Sequence, residues 1–165
     1  MLTNSQEITN IANIALSLSL IVTIIFGIAQ VKAAARSRHD LLTLEVIHQF
    51  QNKEFIEKLY YISNNDLPVN CNEMDRLSDK EMKILTGFMQ QLESLGMLVA
   101  DKFVNVDTVI KTLGPIVTDS WVRMEYVIKD IRKTQQNPFV CEYYQWLAEH
   151  IMQQIKKYPR KPIYL

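Results

Sequence analysis

A chain of 165 residues has room for one domain beside a membrane anchor. Its 18 basic and 18 acidic residues cancel, and a neutral body lacks the broad basic face of a dedicated nucleic-acid binder. Four Gly and five Pro give too little turn punctuation for a many-stranded β fold, so helices are expected.

The charges are unevenly spread. From Asn64 to Val104 there are four basic and seven acidic residues, while the last ten residues hold four basic and no acidic ones. Cys71 and Cys141 form no CxxC or Cys/His cluster, so no metal or redox chemistry is signalled and none is expected. Inside a reducing compartment both should be free thiols.

Residues 1–7 read as a short extracytoplasmic N-terminus and residues 8–31 as a transmembrane helix. The stretch from Ile11 to Ala29 carries no charge and, at ~1.5 Å per residue, spans roughly 28 Å, the thickness of a hydrocarbon core. A cleaved signal peptide would find small residues at Ala33-Ala34-Ala35. Glu7 precedes the run without any Lys or Arg, however, and the run exceeds an ordinary signal core. Lys32, Arg36 and Arg38 follow the span at once. The positive-inside rule then puts the N-terminus outside and the C-terminus in the cytoplasm of a bacterial inner membrane, with these cations against anionic headgroups of the lipid bilayer.

The faces of this helix differ. Ile11, Ile14, Leu18, Ile21, Val22 and Ile25 share an aliphatic side. On the other half, Asn10, Asn13, Ser17, Leu20, Ile24, Gly27 and Val31 recur at steps of three and four, the spacing of a helix-packing seam. Small and amide residues there permit close approach and hydrogen bonds between helices, so oligomer contacts or a pore lining are expected at Asn10, Asn13, Ser17, Leu20, Ile24 and Gly27. The plainer reading has Ser and Thr bonded to their own backbone and Asn near the headgroups.

Residues 32–155 read as a cytoplasmic domain of about five helices. Helix continues into Asp40–Asn52, and Lys53–Ser63 buries Phe55, Leu59 and Ile62. Asn64 to Asn72 reads as a loop. Ser78 and Glu81 form a capping box, opening a helix with the stripe Ile84, Leu85, Phe88, Leu92, Leu95 and Val99. Asp107 is expected to cap a short helix ending near Gly114, and Pro115 to sit in the first turn of the next. That next helix should bury Ile116, Trp121, Met124, Val127 or Ile128, and Ile131. Asn137-Pro138 reads as cap and first-turn proline of a last helix, with Phe139, Tyr143, Trp146, Leu147, Ile151 and Ile155 inward.

Catalytic signals are missing from this pattern. His39, His48 and His150 are scattered, and His150 reads as a core-edge residue beside Trp146. No Gly-rich phosphate loop, Gly-x-Ser-x-Gly or HExxH occurs, and no cofactor is implied. A small helical nuclease of HEPN-like type would carry Arg, four to six residues, then His, and no Arg of this chain is followed by His at that spacing; a degenerate relative is the third reading. Residues 156–165 form a basic tail with interleaved aromatics, in which Lys156, Lys157, Arg160 and Lys161 suit a membrane surface, a cytoplasmic protein or ribonucleoprotein, or RNA. A solvated end is the bland alternative.

Leu92-Glu93-Ser94-Leu95-Gly96-Met97-Leu98-Val99, the run Val106-Asp107 to Leu113-Gly114, Trp121, Arg132, and Asn137-Pro138 to Leu147-Ala148-Glu149 together resemble a family of uncharacterised prokaryotic single-span membrane proteins, of the domain of unknown function 4760 type. The layout is also similar to small pore-forming membrane accessory proteins of RNA-guided CRISPR defence systems. The resemblance implies a non-enzymatic homo-oligomer acting as a pore or effector in phage defence. The alternative is an anchored adaptor presenting a helical domain to a cytoplasmic partner.

Overall fold

A computed structural model describes the backbone of residues 2–159 and the side chains of residues 7–159. Those residues are all-α, without a strand among them. They divide into two compact units, Met1–His39 and Asp40–Leu165. One long helix, α1 (Leu2–Gln49), makes up the first unit and, from Asp40, opens the second. Its sequence has no proline and a single glycine, so nothing in it interrupts the hydrogen-bond ladder.

Within the second unit, Thr43, Val46, Ile47 and Phe50 are buried. Asn52 then caps α2 (Lys53–Asn64), its Oδ1 accepting the Phe55 N–H at 2.7 Å. Phe55 and Ile62 are buried as expected, with Leu59 half-buried against the core. Phe55 stacks on Phe88 with centroids 5.5 Å apart and meets the edge of Phe50 at 4.8 Å.

The stretch expected as loop from Asn64 to Asn72 ends in a helical turn, α3 (Cys71–Met74). Four residues are too few to show an apolar stripe, so periodicity misses it. The turn is held from both sides. Asn70 Oδ1 accepts the Glu73 N–H at 3.0 Å, and Asp130 Oδ2 accepts the Cys71 N–H at 2.9 Å. The Cys71 amide and thiol hold the Asp130 carboxyl below its usual range.

Ser78 opens α4 (Asp79–Ala100) through the anticipated capping box, with Glu81 accepting from both the Ser78 N–H and hydroxyl. These bonds also hold the Glu81 carboxyl below its ordinary value. Leu85, Phe88, Leu92, Leu95 and Val99 are buried and Ile84 half-buried; Met89 and Gly96 join them.

Asn105, not Asp107, caps α5 (Val106–Thr112). The Asn105 side chain accepts the Thr108 N–H at 3.0 Å, while its own N–H donates to Thr43 Oγ1 at 3.1 Å. A tertiary contact thus moves the helix start two residues upstream and leaves Asp107 in the first turn. Pro115 lies in the first turn of α6 (Gly114–Thr134), as expected. Trp121, Met124, Val127, Ile128 and Ile131 are buried, but Val117 replaces the half-buried Ile116 on the inner face.

The last helix departs most from expectation. Asn137 Oδ1 accepts the Phe139 N–H at 3.0 Å, forming a turn rather than a cap, and α7 (Glu142–Lys157) begins later. Its inner face is Tyr144, Leu147, Ala148 and Ile151. Phe139, Trp146 and Ile155 are exposed and Tyr143 is half-buried, because the later start rotates the register. Six helices therefore follow α1, two of them short, against about five expected.

Cys141 sits just before α7 with φ 57°, a left-handed conformation uncommon outside glycine. Arg132 secures it by donating from Nε to the Val140 carbonyl (2.8 Å), from one terminal nitrogen to the Cys141 carbonyl (3.2 Å) and from the other to Gln145 Oε1 (2.5 Å). Glu93 on α4 accepts the Tyr144 N–H at 2.7 Å and so supplies the cap that Cys141 cannot. Gly96, one turn further along α4, lies where a Cβ would overlap the Tyr143 carbonyl. Deeper in, the Ser120 and Tyr144 hydroxyls share a 2.7 Å bond.

Burial pushes the Cys141 thiol from 9.0 up to about 11, whereas Cys71 is only half-buried. The folded chain keeps the Cys141 proton through a window in which the unfolded chain has released it. Stability should therefore fall as pH rises from about 9 to about 11. At pH 8 a maleimide should label Cys71 first and Cys141 only after denaturation. Mass spectrometry of the timed reaction checks this, and rapid double labelling of native protein would contradict it.

Candidate membrane-spanning site

The first unit contains the segment that meets the length and composition needed to cross a membrane. Its most apolar 18-residue window has no buried share within the fold. Leu, Ile, Val and Phe side chains from Ile8 to Val31 are all at least half exposed. In water such a surface would be a large uncompensated apolar patch, so its natural cover is lipid or another helix.

The expected seam residues Asn10, Asn13, Ser17, Leu20, Ile24 and Gly27 all lie on α1 and are exposed. Nothing lies within 4 Å of a Cβ built at Gly27, leaving that backbone open to close approach. The hydroxyls behave as the plainer reading holds. Ser17 Oγ donates to the Asn13 carbonyl and Thr23 Oγ1 to the Ser19 carbonyl, each at 2.8 Å. Both donors are thus satisfied inside their own helix, as apolar surroundings require. The Asn13 amide has no hydrogen-bond partner among the described residues, which leaves two donors and an acceptor for a neighbour.

Lys32, Arg36 and Arg38 are exposed on the helix beyond the apolar run. In the second unit, Lys156 and Lys157 close the last turn of α7, where cations meet the negative end of the helix. Lys157 Nζ lies 5.3 Å from the Tyr158 ring centroid. Arg160 and Lys161 lie outside the described residues.

His150 stacks against Trp146, centroids 5.3 Å apart. No group of three or more His, Cys, Asp or Glu able to hold a metal occurs among the described residues. Glu93, Gly96 and Arg132 order the start of α7 but escape a reading based on apolar stripes. A lone glycine inside a helical pattern is a signal that could have found Gly96.

A family described as a domain of unknown function (DUF4760) matches residues 16–151. That range takes in about two thirds of the apolar run and about nine tenths of the second unit. No curated protein and no solved structure matches the chain.

Proposed function

The chain belongs to the DUF4760 family, and we propose that it is a single-span, non-enzymatic membrane protein that self-associates through α1. The observation that carries this reading is an apolar helix with none of its best window buried in the fold. Lys32, Arg36 and Arg38, immediately after the run, favour a cytoplasmic second unit and an external N-terminus. Asn13, whose side chain has no partner among the described residues, and the open backbone at Gly27 favour a second helix over lipid on one side. In its strongest form the assembly is a pore or membrane effector, with phage defence as the setting suggested by layout alone.

The double variant Asn13→Leu/Ser17→Leu should reduce oligomer size in mild detergent, while Leu18→Val should leave it unchanged. Interhelical polar contacts average only ~0.6 kcal/mol each, so the double change is the fair test. A cytoplasmic signal from a reporter after Leu165 checks orientation in the same cells. Wild-type oligomer size in the double variant would remove the seam from the assembly.

The anchored-adaptor reading has its own support. Between α2 and α4 a cleft of 810 Å³ is lined by Ile56, Tyr60, Tyr61 and Ile84, with Glu57, Lys80 and Glu81 among its polar residues. A monomer in detergent would favour this reading over the pore.

A further inference from the structure

A second face of α1 runs through the charged segment that ends the first unit. Starting at Thr9, the positions Asn13, Leu16, Leu20, Thr23, Gly27, Gln30, Ala34, Ser37, Leu41, Leu44 and His48 recur at alternating steps of four and three. Lys32, Arg36, Arg38, Asp40 and Glu45 all fall off this face. It shares Asn13, Leu20 and Gly27 with the seam already described, yet it avoids every Asp, Glu, Lys and Arg from Glu7 onward, where the earlier phase would place Arg38 and Glu45 inward. α1 continues without a break to Gln49, so the repeat keeps its helical meaning throughout.

In the second unit this face ends on two uncovered leucines. Leu41 is 63% exposed and Leu44 61%, while Thr43, Val46, Ile47 and Phe50 on the opposite side of the same turns are buried. Leu41 comes ten residues after Val31, about 15 Å along a helix, past three cations and Asp40. Hydrocarbon is therefore a poor cover for it. The surface that continues the face in register, with the same leucines at the same height, is α1 of another copy.

We infer that a second copy of this chain docks in parallel along Leu41 and Leu44, so that self-association continues from the span onto the body. This rests on the self-association proposed above and extends it beyond the membrane. A seven-residue repeat of uncharged positions fits two or more α1 helices winding around each other with a left-handed twist. Asn13 gives one polar contact that fixes register, and Leu41 and Leu44 give the apolar contacts outside the bilayer.

Cysteine crosslinking in membranes tests this with the full chain. In a Cys71→Ser background, Asn13→Cys, Leu41→Cys and Leu44→Cys are oxidised separately. Lys53→Cys, whose side chain is 91% exposed on α2, reports random collision. Leu41→Cys and Leu44→Cys should each give several-fold more covalent dimer than Lys53→Cys, as should Asn13→Cys. Dimer at Asn13→Cys alone would overturn the inference while self-association within the membrane stands. No dimer at any α1 position would overturn both. Equal dimer at Lys53→Cys and Leu41→Cys would show chance encounter and also overturn it.

Discussion

Replacing Gly96 with alanine should destabilise the body by about 2 kcal/mol or more, although the exchange improves helix propensity. On propensity alone, Gly to Ala within a helix gains about 1 kcal/mol. At Gly96 the added Cβ would meet backbone, the carbonyl of Tyr143, and backbone cannot rotate aside. Either α4 and the start of α7 separate or the Glu93 bond to the Tyr144 N–H stretches, and both loosen the core around Tyr144. Gly87→Ala on the same helix is the control. Its Cβ would approach only the end of Lys58, with Nζ at 3.2 Å, and that end can swing away. Thermal unfolding of the detergent-solubilised chain, followed by circular dichroism, should show opposite signs for the two variants. A stabilised Gly96→Ala protein would mean that α4 and α7 do not meet as closely as described.

Trp121→Ala should cost ~3–5 kcal/mol, a large share of the ~5–15 kcal/mol that holds a typical domain together. Trp121 is 3% exposed and meets Tyr144 edge to face, with centroids 5.1 Å apart. Its removal leaves a cavity beside the Ser120–Tyr144 hydroxyl pair. Trp146→Ala should cost much less, because Trp146 is 39% exposed and lies on His150 at the surface. Denaturant midpoints of the two variants compare them directly. Equal losses would restore Trp146 to the interior.

The contrast between these tryptophans shows what the residue pattern reveals and where it stops. Trp121 belongs to a helix whose start is marked by Pro115, so its inward face follows from spacing. Trp146 belongs to a helix whose start is set from elsewhere in the chain. Asn137-Pro138 has the chemistry of a cap, but Arg132 and Glu93 delay the helix to Glu142, and the face turns with it. The ends of α4 and α6 were hidden for a related reason. Each closes with a residue at positive φ, Lys102 and Gln136, where glycine would have advertised the turn. Their backbone bonds, from the Phe103 N–H to the Leu98 carbonyl and from the Asn137 N–H to the Arg132 carbonyl, complete helix stops that any side chain can adopt at some strain. The capping box at Ser78 and the apolar run of α1 were plain because each signal is local. For the proposed seam, the pattern names the face but not the partner, since none of the described residues covers it.

The carboxylate of Glu93 bonded to the Tyr144 N–H also bears on the order in which the body forms. A helix usually carries its own start signal within a few residues, and α7 borrows one from 51 positions earlier. During synthesis α4 can assemble as soon as it emerges and close on the waiting α2, but the part of its inner face that meets α7 stays uncovered until residues up to Ile151 have been made. α7 then finds both its first turn and its packing surface on a helix already waiting for it. Secondary and tertiary structure in α7 should arrive in one cooperative step, with that helix closing the core.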